Sequence, residues 1–451
     1  MRPSLLLPLT VAAWAMAWAP AVPGPTIAAQ EPAAVSRRSP DPSALDLGAL
    51  LDTLASRSPR LRAARAAAAA AASRVSGAST LPDPVVQLGV MNLGLPDLAA
   101  DMPASMAPSV QVMQAVPFPG KLGLRGEMAG ASRAMAEAGT EEAWWELRDE
   151  ASARFYEIWS LDRRLEVMGE TLGLLGDFQT VAQARYASGE GRQADVLRAD
   201  VEVARIRAEI RRMETLRRAA AARLNGLLDR PGSTPVPSPV LGPLPAAIPG
   251  MDTLRTWARE SRPALRRTRL ALSRAETRVS LARREIWPDL TVGVSYGRRD
   301  AGAETQHMAS AMVGFSVPIH AGSRQLAVRE EAEAMVRMSH ADLAGLQARV
   351  DARMTELVAE LDRARSLVEL YRTEVLPQAR ANVESALSSY RVGEVDFATL
   401  VDAQLAVDGY EAELYELRAE YGRALAALES TLGRTLPPSR DRSADEAMET
   451  S

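Results

Sequence analysis

The chain contains one long repeat. Residues 59–228 are matched by residues 263–432 at a nearly fixed offset of 204 positions. The clearest correspondence joins the segment Tyr186–Glu190 to the segment Tyr390–Glu394. A period near 200 residues is far longer than the ~20 to 50 residues of a solenoid unit. The sequence therefore predicts two homologous halves related by pseudo-symmetry.

Composition favours long helices over an ordinary mixed fold. Aromatic residues make up only 4% of the 451 residues, and Ala, Arg, Leu and Glu dominate. The formal net charge of -4 is spread along the chain, so no basic face indicates a nucleic-acid partner. The absence of cysteine excludes disulfides and thiolate metal sites.

The N-terminus has the pattern of an export signal. Arg2 precedes an apolar run, Leu5–Ala19, which is followed by proline-broken sequence and the small residues Ala28 and Ala29. We expect residues 1–29 to be a signal peptide. A single membrane anchor is the alternative, but the run is shorter than the ~20 apolar residues that a spanning helix needs.

Each half contains two short segments in which apolar residues alternate with small or polar ones. The four predicted strands are 84–92, 108–117, 289–297 and 308–317. Such alternation is typical of outer-membrane strands, and a soluble sandwich is the alternative. Four strands cannot close a barrel alone, and open edges in lipid would leave backbone groups unsatisfied. Several chains are therefore expected to pool their strands.

Long helices follow each strand pair. Residues 120–186 contain no proline and residues 322–390 contain only Pro377, which allows helices on the order of 100 Å long. Apolar residues along them alternate at spacings of three and four, the seam of a coiled coil. Glycine-containing tips at 187–192 and 391–395 then reverse the chain into return helices, so each half is predicted to be a helical hairpin.

The remaining segments complete the predicted organisation. Residues 30–58 form an N-terminal segment with a short helix, and 59–228 form the first repeat. Residues 229–262 form a proline-rich equatorial linker with a short helix. Residues 263–434 form the second repeat, and 435–451 are a polar tail expected to be poorly ordered.

This order of parts resembles the outer-membrane efflux channels of the TolC type over essentially the whole mature chain. The resemblance rests on the duplication, the strand pairs, the long helices and the Tyr-x-x-Gly turn followed by Val-Asp-Ala-Gln, here Tyr390–Gly393 and Val401–Gln404. The stretch Val116–Glu127 is similar to the strand-to-helix junction of members that serve heavy-metal export pumps.

The resemblance implies a mainly α fold with a small transmembrane β part. Duplicated helical hairpins would form an α-barrel through the periplasm, and four strands per chain would join a shared twelve-stranded β-barrel in a homotrimer. The chain would reside in the outer membrane of a Gram-negative-type cell, contacting outer-membrane lipid, with most of its residues in the periplasm. It would bind a periplasmic adaptor (membrane fusion protein) and an inner-membrane pump.

The implied activity is that of a passive duct. It would serve a tripartite efflux or type I secretion system, exporting metal ions or small toxic compounds, with a gate at the periplasmic tips. A periplasmic coiled-coil adaptor or structural protein is the alternative from another class, since it would also carry an export signal and helical hairpins. Adaptors normally also contain Gly-rich lipoyl-like segments, which this sequence lacks.

Gate residues are carried over from the family by alignment on the turn glycines. In the family, Tyr, Arg and Asp side chains close the channel. Asp195 falls on the first-half Asp of that network, and Tyr390 and Asp402 fall on second-half members. The alternative is that these are solvated groups at helix ends, where an exposed ion pair contributes only ~0 to 1 kcal/mol.

The sequence departs from the family pattern at two gate positions. Val395 stands where the family has Arg, and Thr399 stands where it has Asp. The gate is therefore expected to use other cations, for which the candidates are Arg192, Arg198 and Arg391.

The two tips match the family segments that meet adaptor tips. The candidate docking residues are Ser188, Gly189, Glu190, Val392, Gly393 and Glu394. These residues also suit plain turn chemistry, in which glycine supplies positive φ, and the two interpretations are compatible.

No cofactor, metal site or enzymatic activity is predicted, because no nucleophile with a base, phosphate loop or carboxylate pair is recognisable. Several methionines lie in or near the strands, and their thioethers suit soft metal ions such as Cu(I), namely Met91, Met102, Met106, Met113, Met308 and Met312. Methionine also fills apolar surface without any ligand role, and this is the simpler interpretation of the set.

Overall fold

The computed structural model describes residues 44–91, 106–242, 247–301 and 304–437. The predicted signal peptide and most of the predicted tail lie outside these residues, as does Met102. The described chain is mostly helical. Its helices are α1 (Leu47–Arg57), α2 (Pro59–Ser79), α3 (Lys121–Ala187), α4 (Gln193–Leu227), α5 (Met251–Ser261), α6 (Pro263–Arg284), α7 (Gln325–Leu370), α8 (Leu376–Val392) and α9 (Phe397–Leu432).

In the described ranges, six strands accompany the helices. They are β1 (Ala44–Leu45), β2 (Val85–Met91), β3 (Met106–Val116), β4 (Ser238–Pro239), β5 (Leu290–Ala301) and β6 (Glu304–Phe315). Strands β5 and β6 extend further toward their connecting turn than the predicted 289–297 and 308–317. The alternation of apolar side chains ends near Gly297, but backbone pairing continues to Ala301 and Glu304 because ladder hydrogen bonds do not depend on side-chain type.

Strands β2, β3, β5 and β6 form one antiparallel sheet, in that order. The two halves of the chain meet in its centre, where β3 pairs with β5. Within the described residues, the outer strands β2 and β6 pair on one side only. The sheet therefore ends in two open edges.

One face of this sheet is apolar and exposed. The register aligns Leu88 with Val110 and Val110 with Tyr296, and it aligns Val292 with Val313. Leu88 is 76% exposed and Val313 is 69% exposed, so this face does not belong to the core. Exposed apolar surface of this extent marks a place where another apolar phase or chain is bound.

Helix α3 is the centre of the helical part. It packs against α2 and α6 toward the sheet and against α4 and α9 toward the tips. Ile158, Leu161 and Leu175 belong to the apolar residues that alternate at spacings of three and four, and all three are buried along α3. In the described part of the chain, no helix combines the length and apolar character needed to cross a membrane.

The helix predicted over 322–390 is interrupted, whereas its counterpart α3 is continuous. A π-helical turn, Tyr371–Val375, separates α7 from α8. Pro377 lacks a backbone N–H and its ring excludes the regular i→i−4 geometry. The Leu376 N–H instead donates to the Tyr371 carbonyl, five residues back. The added backbone width is a typical π-bulge.

The sheet and the helices are joined at a buried lysine. Lys121, only 3% exposed, donates from Nζ to Asp289 Oδ1 at 2.7 Å and to the Trp287 carbonyl at 2.8 Å. The Phe118 N–H also donates to Asp289 Oδ1, and the Phe118 and Trp287 rings stack at 5.4 Å. The strand-to-helix junction of the first half is thereby fixed to that of the second.

The proline-rich linker lies along the helices. Strand β4 pairs in parallel with β1. The Asn225 side chain is fully buried and donates from Nδ2 to the Thr234 carbonyl at 2.8 Å. Arg217, ion-paired with Asp162, donates to the Val236 carbonyl. The two-residue strand pair and these side-chain hydrogen bonds hold the linker in place, since its prolines prevent it from forming a longer strand.

Two glycines of α9 are expected to respond oppositely to alanine. A Cβ at Gly422 would overlap the ring of Tyr156, which is 5% exposed, whereas no atom lies within 4 Å of a Cβ at Gly409. Overpacking costs about 1–3 kcal/mol, and alanine gains up to about 1 kcal/mol of helix propensity. Gly422→Ala should lower Tm in a detergent-solubilised sample and Gly409→Ala should raise it. Equal shifts for the two variants would contradict the packing at Gly422.

Candidate functional site at the helical tips

The first tip connects α3 to α4 through a tight turn. Gly189 has φ of +80°, a conformation that glycine adopts without steric cost. The N–H groups of Glu190 and Gly191 both donate to the Arg185 carbonyl, at 3.0 and 2.8 Å. A Cβ on Gly191 would lie 2.8 Å from the Tyr186 nitrogen, so the turn requires glycine at both positions. Ser188 is exposed at this tip together with Gly189 and Glu190.

The second tip connects α8 to α9. Gly393, with φ of +81°, ends α8 in the left-handed conformation common at helix C-termini. Asp396 caps α9 by accepting hydrogen bonds from the Thr399 N–H at 2.9 Å and hydroxyl at 2.7 Å. These bonds lower the pKa of Asp396. Thr399, where the family has a gate carboxylate, here serves the helix cap.

The two tips are connected by an arginine that sequence analysis did not single out. Arg185 Nη1 donates to the Tyr390 carbonyl at 2.8 Å, and its guanidinium carbon lies 5.1 Å from the centroid of the Tyr390 ring. Tyr390 is 5% exposed and packs edge-on against Phe397. Burial raises the pKa of Tyr390, the Arg185 cation opposes this, and Asp195 adds to it.

A second connection joins the return helices. Arg198 Nη2 of α4 lies 2.8 Å from Asp402 Oδ1 of α9. The two residues occupy equivalent positions of the repeat, since they are 204 residues apart. Both side chains are largely exposed, at 43% and 64%, so in one chain the pair contributes about 0–1 kcal/mol.

The structure brings together half of the predicted gate set. Tyr390, Arg198 and Asp402 take part in the two inter-tip contacts. In the described residues, the side chains of Arg192, Asp195 and Arg391 form no hydrogen bond or ion pair, although Asp195 acts electrostatically on Tyr390. All six candidate docking residues are exposed.

One sequence signal could have identified Arg185. Its equivalent in the second half is Ser389, so the charge is present in one copy of the repeat only. The charge also differs between the equivalent positions 198 and 402, which carry Arg198 in the first half and Asp402 in the second. Charge differences between equivalent tip positions are therefore the pattern that indicates contacts between the halves.

A buried carboxyl group lies between α3 and α9, nearer the tips than the linker. Gln404 Nε2 donates to Asp408 Oδ1 at 2.9 Å, and the buried Asp408 Oδ2 accepts no hydrogen bond from the described residues. Burial raises the pKa of Asp408; polar contacts with Thr171 and Gln404 oppose this, and Glu411 and Glu170 raise it further. The folded chain therefore favours the protonated form of this group more than the unfolded chain does.

Asp408→Asn is expected to stabilise the protein at neutral pH. Because the folded pKa exceeds the unfolded value of ~3.9, the folded state binds more protons, and wild-type stability falls as pH rises from about 4 through the raised pKa. The asparagine amide does not ionise, so the variant does not lose stability in this way as pH rises. The Tm of Asp408→Asn should exceed that of wild type near pH 8, and the two should agree near pH 4. The exposed Asp177→Asn, as control, should not show this divergence.

Among the residues that the structure describes, no cluster of three or more His, Asp or Glu side chains is arranged to hold a metal ion.

The fold is similar to that of solved outer membrane proteins. The chain is similar to the outer membrane protein VceC from Vibrio cholerae, with a TM-score of 0.74 and 17% identity over 87% of this chain and 97% of that one. A membrane protein from Pseudomonas aeruginosa gives a TM-score of 0.74 and 22% identity over 91% and 99%. The CmeC outer membrane channel of Campylobacter jejuni gives 0.74 and 12% over 89% and 89%.

Sequence comparison agrees with the fold. Residues 254–434 match the model of the outer membrane efflux protein family. No curated protein matches the sequence significantly. The resemblance to TolC-type channels is thereby confirmed.

Proposed function

We propose that this protein is the outer-membrane channel of a tripartite efflux or type I secretion system. The observation that carries the proposal is the four-stranded sheet, whose apolar face is exposed and whose edges at β2 and β6 are open. Open edges in lipid would leave backbone groups unsatisfied at a cost of several kcal/mol each. Three copies joined edge to edge give a closed twelve-stranded barrel and remove both edges.

The order of the helices supports the same assembly. Helix α2 packs on one side of α3, and α6 packs on the other side with α7 beyond it. The strands follow the same order, with β2 and β6 at opposite edges of the sheet. Joining copies at the sheet edges would therefore also bring α2 of one chain toward α7 of the next. The helices would then continue the barrel into the periplasm as a hollow duct.

Fractionation and conductance test the proposal. A trimer that is extracted from the outer membrane, dissociates on heating and conducts ions in planar bilayers is the expected result. A soluble periplasmic monomer would instead favour an adaptor or structural protein, the alternative from another class.

The tips are the proposed gate and docking surface. Arg185–Tyr390 and Arg198–Asp402 connect the first hairpin to the second, so separating the hairpins requires breaking both contacts. The exposed turns, Ser188–Glu190 and Val392–Glu394, would meet the adaptor. Arg192, Asp195 and Arg391 are proposed to act between chains, since they form no hydrogen bond or ion pair with the described residues of their own chain.

Docking can be tested at the second turn. Gly393→Trp adds a bulky side chain at an exposed position with positive φ, and it should abolish pump-dependent export while leaving a conducting trimer. Glu304→Trp, exposed at the start of β6 rather than at a helical tip, is the control and should export normally. Normal export by Gly393→Trp would show that the adaptor docks elsewhere.

The proposed cargo is metal ions or small toxic compounds. The junction segment Val116–Glu127, similar to that of heavy-metal export members, favours metals. Deleting the gene and comparing sensitivity to copper, silver and zinc with sensitivity to dyes and antibiotics would separate the two classes.

A further inference from the structure

The face of the sheet opposite the apolar one is lined by small and polar residues and by methionines. The register aligns Val85 with Met113, Met113 with Gly293 and Gly293 with Met312, so one row crosses all four strands. Met113 and Met312 come from different halves of the chain. Because neighbouring strands lie about 4.8 Å apart, their α-carbons are about 10 Å apart, on either side of the glycine.

Both methionine side chains lean over Gly293. A Cβ at that position would lie 3.3 Å from Met113 Cγ, 2.8 Å from Met312 Cγ and 3.3 Å from Met312 Sδ. The two side chains thus converge on space that any larger residue at 293 would fill. Convergence of two methionine side chains from separate strands is a geometric feature that the sequence pattern did not reveal.

The surroundings of the pair are not those of an apolar core. Gln111 Nε2 donates to Met312 Sδ at 3.2 Å, which orients the thioether. The adjoining row contains Ser295 and Ser310 beside Gln111. Met312 itself is 39% exposed. Methionine usually fills gaps among apolar side chains, and that explanation does not account for two methionines on a polar face.

Thioether sulfur is a soft, uncharged ligand that prefers Cu(I) over hard cations and needs no deprotonation to bind. We propose that Met113 and Met312 form a thioether pair that reversibly binds a soft monovalent metal cation, Cu(I) or Ag(I). The inference rests on the proposed function, under which this face lines the duct, and it names the cargo class. A weak site of this kind in each chain of a trimer would favour soft cations along the exit path.

The test measures Ag(I) binding to the full-length, detergent-solubilised protein by titration calorimetry. Wild type should bind about one Ag(I) per chain. Met113→Leu/Met312→Leu, which keeps side-chain size but removes both sulfurs, should lose saturable binding. Gly293→Ala keeps both sulfurs but forces them apart, and should weaken binding about ten-fold, as loss of a supporting residue does at other metal sites.

Met308→Leu is the matched control, since Met308 lies on the same face of β6 but four residues from Met312, about 13 Å along the strand. It should bind as wild type does. Unchanged binding by the double variant, or none by wild type, would overturn the inference. Bilayer conductance is measured separately: a conducting channel without Ag(I) binding rejects the inference alone, whereas a non-conducting protein rejects the proposed function.

Discussion

Replacing Arg185 and Arg198 together with alanine is expected to raise single-channel conductance in planar bilayers several-fold. The double variant removes the hydrogen bond and cation–π contact to Tyr390 and the ion pair with Asp402. A hydrogen bond to a charged group contributes ~1.5–3 kcal/mol, and the exposed ion pair adds little. Loss of about 2 kcal/mol per chain would increase the ratio of open to closed tips about 30-fold.

Two further variants make this result specific. Arg207→Ala/Arg211→Ala removes the same charge from exposed positions of α4 where no ion pair is found among the described residues, and its conductance should match wild type. Either single change, Arg198→Asp or Asp402→Arg, places like charges opposite each other and should raise conductance, whereas exchanging both charges should return it to the wild-type level. If Arg185→Ala/Arg198→Ala conducts like wild type, the inter-tip contacts do not keep the channel closed.

Val313→Arg is expected to abolish assembly in the outer membrane. Val313 lies on the apolar face of β6 and is 69% exposed. An arginine on the lipid-facing side of a membrane strand costs ~2–4 kcal/mol near the bilayer midplane, and a trimer would carry this cost three times. The measurement is the amount of heat-modifiable trimer in the outer-membrane fraction.

Ser310→Arg provides the comparison within the same strand. Ser310 points to the opposite, polar face and is also exposed. It should assemble nearly as wild type does, because that face would contact water in the duct. The reverse outcome, with Ser310→Arg excluded and Val313→Arg assembled, would mean that the sheet faces lipid with its polar side.

Local sequence patterns predicted the individual helices and strands. They did not predict which strands pair with each other or in which register. Alternation at Leu290–Tyr296 identified a strand because side chains on one face repeat every second residue. The pairing of β3 with β5 joins segments about 180 residues apart, as Val112 with Val294 shows, and no local pattern specifies such a partner. The approach of Met113 to Met312 depends on that pairing and was equally invisible.

The candidate site was predictable to a similar degree. The turn glycines were recognisable because the chain reverses there with a positive φ, which glycine adopts without steric cost. Alignment on these glycines then identified Tyr390, Arg198 and Asp402. Arg185 was missed because it belongs to the last turn of α3, where a basic residue is ordinarily explained by the helix dipole. Its contact with Tyr390 depends on how the two hairpins pack.

The continuity of α3 and the interruption at Tyr371–Val375 give the two halves different mechanical properties. A regular helix resists bending, while π-bulges are places where long helices bend sharply. Any rearrangement that spreads the tips would therefore concentrate its bending in the second hairpin, with α3 as the fixed reference. Stiffness, rather than charge alone, would then decide which hairpin moves when the duct opens.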